Sequence, residues 1–239
     1  VIGNGSNLLA PDAGISGVVI QLGSNFSWIR NTLKPGEIIC AAGASLSALA
    51  SYARKESLTG LEFAWGIPGN VGGAVYMNAG AYGGEMAQVV SQVEGFDMTG
   101  EPFRYTGAEM DFGHRHTRLM DENKLITHVT FQLHPGNREA LLAEMVDFNS
   151  RRAEKQPLTQ FSAGSTFKRP ANGFASAMID QCGLKGFTVG GAQVSEKHAG
   201  FVVNLGGATA ADVLATMELV KKEVLAYSGI QLEPEVRIW

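Results

Sequence analysis

The stretch Gly60–Gly84, GLEFAWGIPGNVGGAVYMNAGAYGG, constrains this chain more than any other. It holds eight glycines in 25 residues, and no Lys or Arg occurs between Lys55 and Arg104. A flexible linker would be polar, whereas Phe63, Trp65, Ile67, Val71, Val75 and Tyr82 are interleaved with these glycines. The segment is therefore an ordered loop. Glycine lets a backbone take φ > 0 and approach a ligand closely, and successive N–H groups can cradle phosphate without a cationic side chain. Such a loop suits a large, flat, partly anionic cofactor; it suits equally a tightly packed bend in a β-protein.

The same bias runs through the chain, in which 30 of 239 residues are Gly, well above the usual ~7%. No three-residue period accompanies it, so a collagen-like rod is excluded. With 45% hydrophobic and 18% charged residues the chain can bury a core, which excludes disorder. Its length fits one large domain or two small ones. The balance of 19 Lys+Arg against 23 Asp+Glu lacks the basic excess that binding a phosphate backbone requires, so no nucleic-acid partner is expected. No apolar run reaches the roughly 18 residues of a membrane helix, and no secretory leader pattern opens the chain. The expectation is a cytoplasmic protein without membrane insertion. Cys40 and Cys182 stand far apart with no CxxC, and read as core thiols rather than a disulfide or a metal site. The opening Val1-Ile2-Gly3 lacks an initiating Met and reads as the middle of a strand-to-loop passage, as in a fragment whose N-terminal piece is missing.

Short β-rich runs are expected at 18–22, 37–41, 89–96 and 125–133. A helix is predicted over 45–55, with Leu46, Leu49, Ala50 and Ala53 as its apolar stripe. Leu141, Leu142, Met145 and Phe148 return at helical spacing over 139–153, where the pair Arg151-Arg152 suits a C-terminal turn. A further helix over 210–227 is capped by Thr209, ended by Gly229, and striped by Val213, Met217, Val220, Val224 and Tyr227. Pro157 breaks the pattern between the last two, which places a domain boundary near Lys155–Leu158.

Gly3-Asn4-Gly5-Ser6-Asn7-Leu8-Leu9 has the look of a dinucleotide fingerprint but lacks the third glycine, and Pro11-Asp12-Ala13-Gly14 puts a turn where the helix should begin. Neither GxxxxGK[ST] nor HExxH occurs. His114 and His116 have no third metal ligand in spacing, so no metal is expected.

Five segments stand in order along the chain: GNGSNLL at 3–9, GIPGNVGGAVYMNAGAYGG at 66–84, SAGSTFKRP at 162–170, GGAQVSEKHAGFVVN at 190–204 and LEPEVR at 232–237. Together they resemble the UDP-N-acetylenolpyruvoylglucosamine reductase family, flavoproteins of peptidoglycan synthesis. The resemblance implies an α+β chain with an FAD-binding domain of the vanillyl-alcohol-oxidase/PCMH type over residues 1–156. A smaller α/β substrate-binding domain over 157–239 follows, its last strand returning towards the FAD-binding region. It further implies that FAD is held by Gly3, Asn4, Gly5, Ser6, Asn7 and Leu8. A second set of cofactor contacts comes from Gly66, Pro68, Gly69, Val71, Gly72 and Gly73, and a third from Asn78, Gly80 and Ala81. The chain looks like the shorter class of the family, since no Tyr occurs between Tyr105 and Tyr227 to supply the loop that closes over substrate in the longer class. The family's usual N-terminal FAD-binding segment is absent from these residues.

The partners implied are NADPH and UDP-N-acetylglucosamine enolpyruvate, with UDP-N-acetylmuramate as product. By the same resemblance Ser165 matches the proton donor and Glu235 the catalytic acid at the substrate carboxylate. Arg115 matches the arginine that holds that carboxylate, a role its planar fork suits. The family usually has Tyr where His114 stands and Ser where Thr117 stands. Lys155 matches a lysine at the anionic end of the substrate, and Arg169, where many relatives carry Asn, is assigned to the diphosphate. Two other readings stay open: a different FAD oxidoreductase of the same fold, and a non-catalytic sugar-nucleotide-binding fragment.

Overall fold

The computed structural model describes residues 1–239 in two compact units: Val1–Asn4 with Val19–Arg152, and Gly5–Val18 with Ala153–Trp239. The first unit is built on a five-stranded antiparallel sheet in the order Ile29–Asn31, Glu37–Ala41, Lys124–Gln132, Val90–Asp97, Pro102–Thr106. Ile38, Cys40, Val93, Val129 and Phe131 are wholly buried on it. Their core is shared with helix α1, Leu46–Lys55, whose stripe Leu46, Leu49, Ala50 and Ala53 is buried as the spacing predicts. Ser45 caps α1 by accepting from Ala48 N at 3.1 Å, a contact of about 1 kcal/mol. At the Glu94/Gly95 irregularity in the sheet, a Cβ on Gly95 would lie 1.8 Å from Leu125 O. Only glycine fits there.

The run at 18–22 does not form a strand. Gln21 alone bridges, to Ile2, while Val18 is 88% and Ile20 55% exposed. β-Branched residues favour a strand through packing against a neighbour and a buried face; the bonds from Ile2 N to Ile20 O at 2.9 Å and from Leu22 N to Ile2 O at 3.0 Å supply a neighbour, but residues 18–21 are all exposed and have no buried face.

A short helix α2, Val71–Tyr76, lies inside the glycine segment. Helix α3, Arg138–Lys155, buries Leu141 and Met145 but leaves Leu142 exposed. Its basic pair Arg151-Arg152 stands near the C-terminal end, as expected, although Arg152 is buried, at 4% exposed.

The second unit carries a four-stranded antiparallel sheet in the order Phe161–Ser165, Phe201–Asn204, Ala192–Val194, Thr188–Val189. Helices α4, Ala175–Gln181, and α5, Ala210–Ser228, pack with it through Ile179, Val194, Met217, Val220 and Val224. Thr209 and Asp212 form a reciprocal capping box at the start of α5, and Gly229, at φ 70°, ends it. Tyr227 leaves the predicted stripe and is exposed, because the last turn of α5 runs past the core.

Residues 5–18, which the sequence reading assigned to the first domain, are held by this second unit. Leu8–Leu9 pairs in parallel with Arg237–Ile238, and Asp12 accepts from Ala210 N at 2.6 Å and Ala211 N at 3.1 Å. Cys40 is buried, which pushes its thiol pKa far up; Cys182 is only half-buried, against the core of the second unit.

Candidate cofactor cradle and catalytic strands

In the first unit the glycine segment folds against the end of the strand Glu37–Ala41. The first two amides of α2, Val71 N and Gly72 N, donate to Ala44 O and Ala42 O, each at 2.8 Å. Those N–H groups are therefore engaged within the protein and are not open to phosphate. Gly72 has a steric reason to be glycine, since its Cβ would come 2.9 Å from that of Ala42. Gly73 has none: it sits in the helix, exposed, with no atom within 4 Å of an added Cβ. A glycine within a helix costs up to about 1 kcal/mol against Ala, and packing within the protein gives no reason for that cost at Gly73, which leaves an open face on α2. Asn70, just before α2, donates through Nδ2 to Gly43 O at 2.6 Å, while its buried Oδ1 has no partner. An added Cβ on Gly3 would lie 2.6 Å from that same oxygen, which draws the first motif's opening residues, Gly3 and Asn4, to the second motif. Gly66 and Gly69 take φ of 85° and 136° on either side of Pro68.

The NAGAYGG stretch closes as a tight hairpin, Gly80–Ala81 against Gly84–Glu85, with Tyr82 and Gly83 at φ 54° and 90° in the turn. Asn78 is 1% exposed, also at positive φ; its Nδ2 donates to Gly113 O at 2.9 Å and its Oδ1 accepts from Ala87 N at 3.0 Å. Arg115 reaches the same hairpin, donating from Nη1 to Asn78 O at 3.2 Å and from Nη2 to Gly80 O at 3.1 Å. The structure thus brings Arg115, Asn78 and Gly80 together in one constellation. Thr117 Oγ1 donates to Tyr76 O at 2.7 Å; a serine hydroxyl would serve that bond equally, which explains how the departure at this position is tolerated.

In the second unit Ser165 ends the strand Phe161–Ser165, next to Gly164 at φ 81°. The neighbouring Thr166 carbonyl accepts from Glu235 N at 2.9 Å, and Phe167 bridges Pro234. Ser165 and Glu235, far apart in sequence, are therefore set on adjoining backbone. Asn7, from the GNGSNLL motif, donates through Nδ2 to Glu235 O at 3.1 Å. Ser165 itself is exposed, as a residue that must meet a ligand should be.

Lys155 is exposed at the end of α3. Arg169 lies elsewhere in its loop, its guanidinium 4.0 Å over the Phe174 ring and its Nε donating to Gly173 O at 3.2 Å. His198 was not singled out from the sequence, although it lies within the SEKHAG motif. Burial, and then the positive charges of Lys185 and Lys155, hold its pKa below the usual imidazole value. Its Nδ1 accepts from Gly200 N at 3.1 Å. Lys155, Lys185 and His198 thus share one electropositive neighbourhood, built from three sequence segments that no local spacing links.

Residues 1–106 match the FAD binding domain family, and residues 156–239 match the C-terminal domain of UDP-N-acetylenolpyruvoylglucosamine reductase. The UDP-N-acetylenolpyruvoylglucosamine reductase of Heliobacterium modesticaldum is 50% identical across all of this chain, which spans 76% of that protein. That of Caldanaerobacter subterraneus is 46% identical across the same residues, with 78% of its length covered. The crystal structure of the Thermus caldophilus reductase superposes with a TM-score of 0.86 at 37% identity, over 99% of this chain and 84% of the other. The open glycine face at Gly73 and the unmet acceptor on Asn70 fit an FAD of the kind the matched domain binds, and by sequence and fold alike the chain belongs to the UDP-N-acetylenolpyruvoylglucosamine reductase family.

Proposed function

We infer that this chain reduces UDP-N-acetylglucosamine enolpyruvate to UDP-N-acetylmuramate at the expense of NADPH, a step of peptidoglycan precursor synthesis. FAD, when bound, would supply the two-electron redox chemistry that links NADPH to the enol ether double bond. The first unit provides the cradle for it, through the open face of Gly73, the Asn70 carbonyl oxygen and the positive-φ turns at Gly66 and Gly69.

The second unit provides the protonation machinery. Hydride addition places negative charge on the carbon next to the substrate carboxylate, and Ser165 donates the proton that quenches it. A hydroxyl is a weak acid, and it suffices here because the carbanion it protonates is a strong base. Glu235 meets the substrate carboxylate, sharing a proton with it as two adjacent carboxyls must. Lys155 binds the anionic sugar-nucleotide end, with Arg169 at the diphosphate. Substrate preference thus resides in side chains of the C-terminal residues, and redox chemistry in the backbone cage. The observation that supports this reading is the bond from Glu235 N to Thr166 O, which brings residue 235 beside the backbone that carries Ser165.

The test separates the two half-reactions by rapid mixing. In Ser165→Ala, NADPH should bleach the flavin at close to the unmodified rate, while reoxidation by the UDP-sugar slows by ~100-fold or more, the usual worth of a general acid. Equal loss in both halves would remove Ser165 from the donor role.

A further inference from the structure

We propose that Arg152 binds an anionic oxygen of the cofactor within the first unit, an inference that rests on the FAD reading above. Arg152 is 4% exposed, and its Nε is buried without a hydrogen-bond partner. Its one contact of note is with the Tyr82 ring, 5.8 Å from Cζ. A cation at that range gains far less from the ring than desolvating an ion costs. Arginine cannot escape the cost by losing its proton. A buried guanidinium with five donors and no acceptor is therefore poised for a ligand that brings the acceptor.

Position identifies which ligand. A Cβ on Gly66 would lie 3.8 Å from Arg152 Nη1 and 2.7 Å from Oδ1 of Asn149, one turn back on α3. Tyr82 stands in the turn of the Gly80–Glu85 hairpin and is stacked on Phe148 of α3, with ring centroids 4.5 Å apart and 7° between planes. Arg152 thus lies between the GIPG turn and the NAGAYGG hairpin, the two stretches of the first unit assigned to the cofactor. That segment carries no Lys or Arg of its own from Glu56 to Phe103, so α3 supplies the cation that the cradle lacks. The shared chemistry is an anionic oxygen, either of the FAD diphosphate or of the isoalloxazine ring, whose pyrimidine edge becomes anionic on reduction.

Purified protein stripped of flavin, with Arg152→Met and Arg152→Lys, decides the matter by fluorescence titration and melting. Without FAD, Arg152→Met should melt at or above the unmodified temperature, because it deletes an unpaired buried charge. With FAD the order should reverse, and FAD affinity should fall on the order of 10–100-fold, as for loss of a charge-assisted contact; Arg152→Lys should fall less. If the oxygen is the diphosphate's, ADP affinity falls with FAD and riboflavin affinity does not. If it is the ring's, riboflavin affinity falls and the flavin midpoint potential of the variant becomes more negative. Unchanged affinity for all three ligands together with an unchanged potential overturns the proposal, as does a variant that weakens only UDP-sugar binding. An unmodified protein that fails to bind FAD sinks instead the reading on which the proposal rests.

Discussion

In the first unit the proposed cofactor contacts fall on residues without side chains, Gly66, Gly69, Gly73 and Gly80, whereas in the second the proposed chemistry falls on Lys155, at the end of α3, and on Ser165 and Glu235, carried by backbone that pairs over a long separation. The difference decides how each region fails. A cage of backbone is damaged by adding an atom; a set of reactive side chains is damaged by removing one. The first kind of damage should register in folding as well as function, the second in function alone.

The largest effect expected of this contrast lies in the hairpin. A Cβ on Gly80 would stand 2.6 Å from Gly84 O and 2.7 Å from Glu85 Cβ. Neither neighbour can yield without opening the Tyr82-Gly83 turn, and Gly80 O also receives Arg115. Gly80→Ala should lose about 2–3 kcal/mol of stability and most FAD binding, read by denaturant melts and flavin titration. Ser165 is exposed, so Ser165→Ala should melt within ~0.5 kcal/mol of the unmodified chain while its oxidative half-reaction fails. A Gly80→Ala protein that folds and binds FAD normally would break the comparison on the first side; a strongly destabilised Ser165→Ala would break it on the second.

A smaller effect is expected where the second unit is tied together. Asp12 accepts two amides at the start of α5 across 198 and 199 residues of sequence, in addition to the capping box from Thr209. Its carboxylate also faces the positive end of the helix. Asp12→Ala should cost about 1 kcal/mol, and hydrogen exchange should quicken in α5 and in Leu8–Leu9 while the first unit's sheet stays protected. Uniform quickening in both units would show that residues 5–18 do not belong energetically to the second.

How much of this was legible in the sequence follows from the range of the interactions concerned. The stripe Leu46, Leu49, Ala50 and Ala53, and the stops at Thr209 and Gly229, depend on neighbours within a turn or two, and the structure matches them. Val18, Val19 and Ile20 have strand composition but gain no buried face from the single bridge to Ile2, a non-local fact that no local pattern contains. The adjoining of Ser165 and Glu235 is of the same non-local kind: it depends on Thr166 O meeting Glu235 N, and only the family resemblance pointed to it. Arg151-Arg152 reads from the sequence only as a pair suited to a C-terminal turn; adjacent helical residues face different ways, and which of the two turns inward is decided by Gly66 and Tyr82 on distant segments. The smallest neighbour can be as telling as the largest, since the room left at Gly66 is what Arg152 approaches.

The least disruptive substitution gives the sharpest test of the cage. Gly73 sits inside α2, exposed, and an added methyl meets nothing within 4 Å. If α2 were only a structural turn, Gly73→Ala would improve helix propensity by roughly 0.5–1 kcal/mol and leave ligand binding alone. If the open face is where the cofactor lies, the same methyl should stabilise the flavin-free protein by that amount and weaken FAD binding at the same time. Two signs from one methyl group are difficult to obtain by any general disturbance of the fold. Melting temperatures with and without FAD, measured on the same preparation, would read both, and a gain in each would place the cofactor elsewhere than on α2.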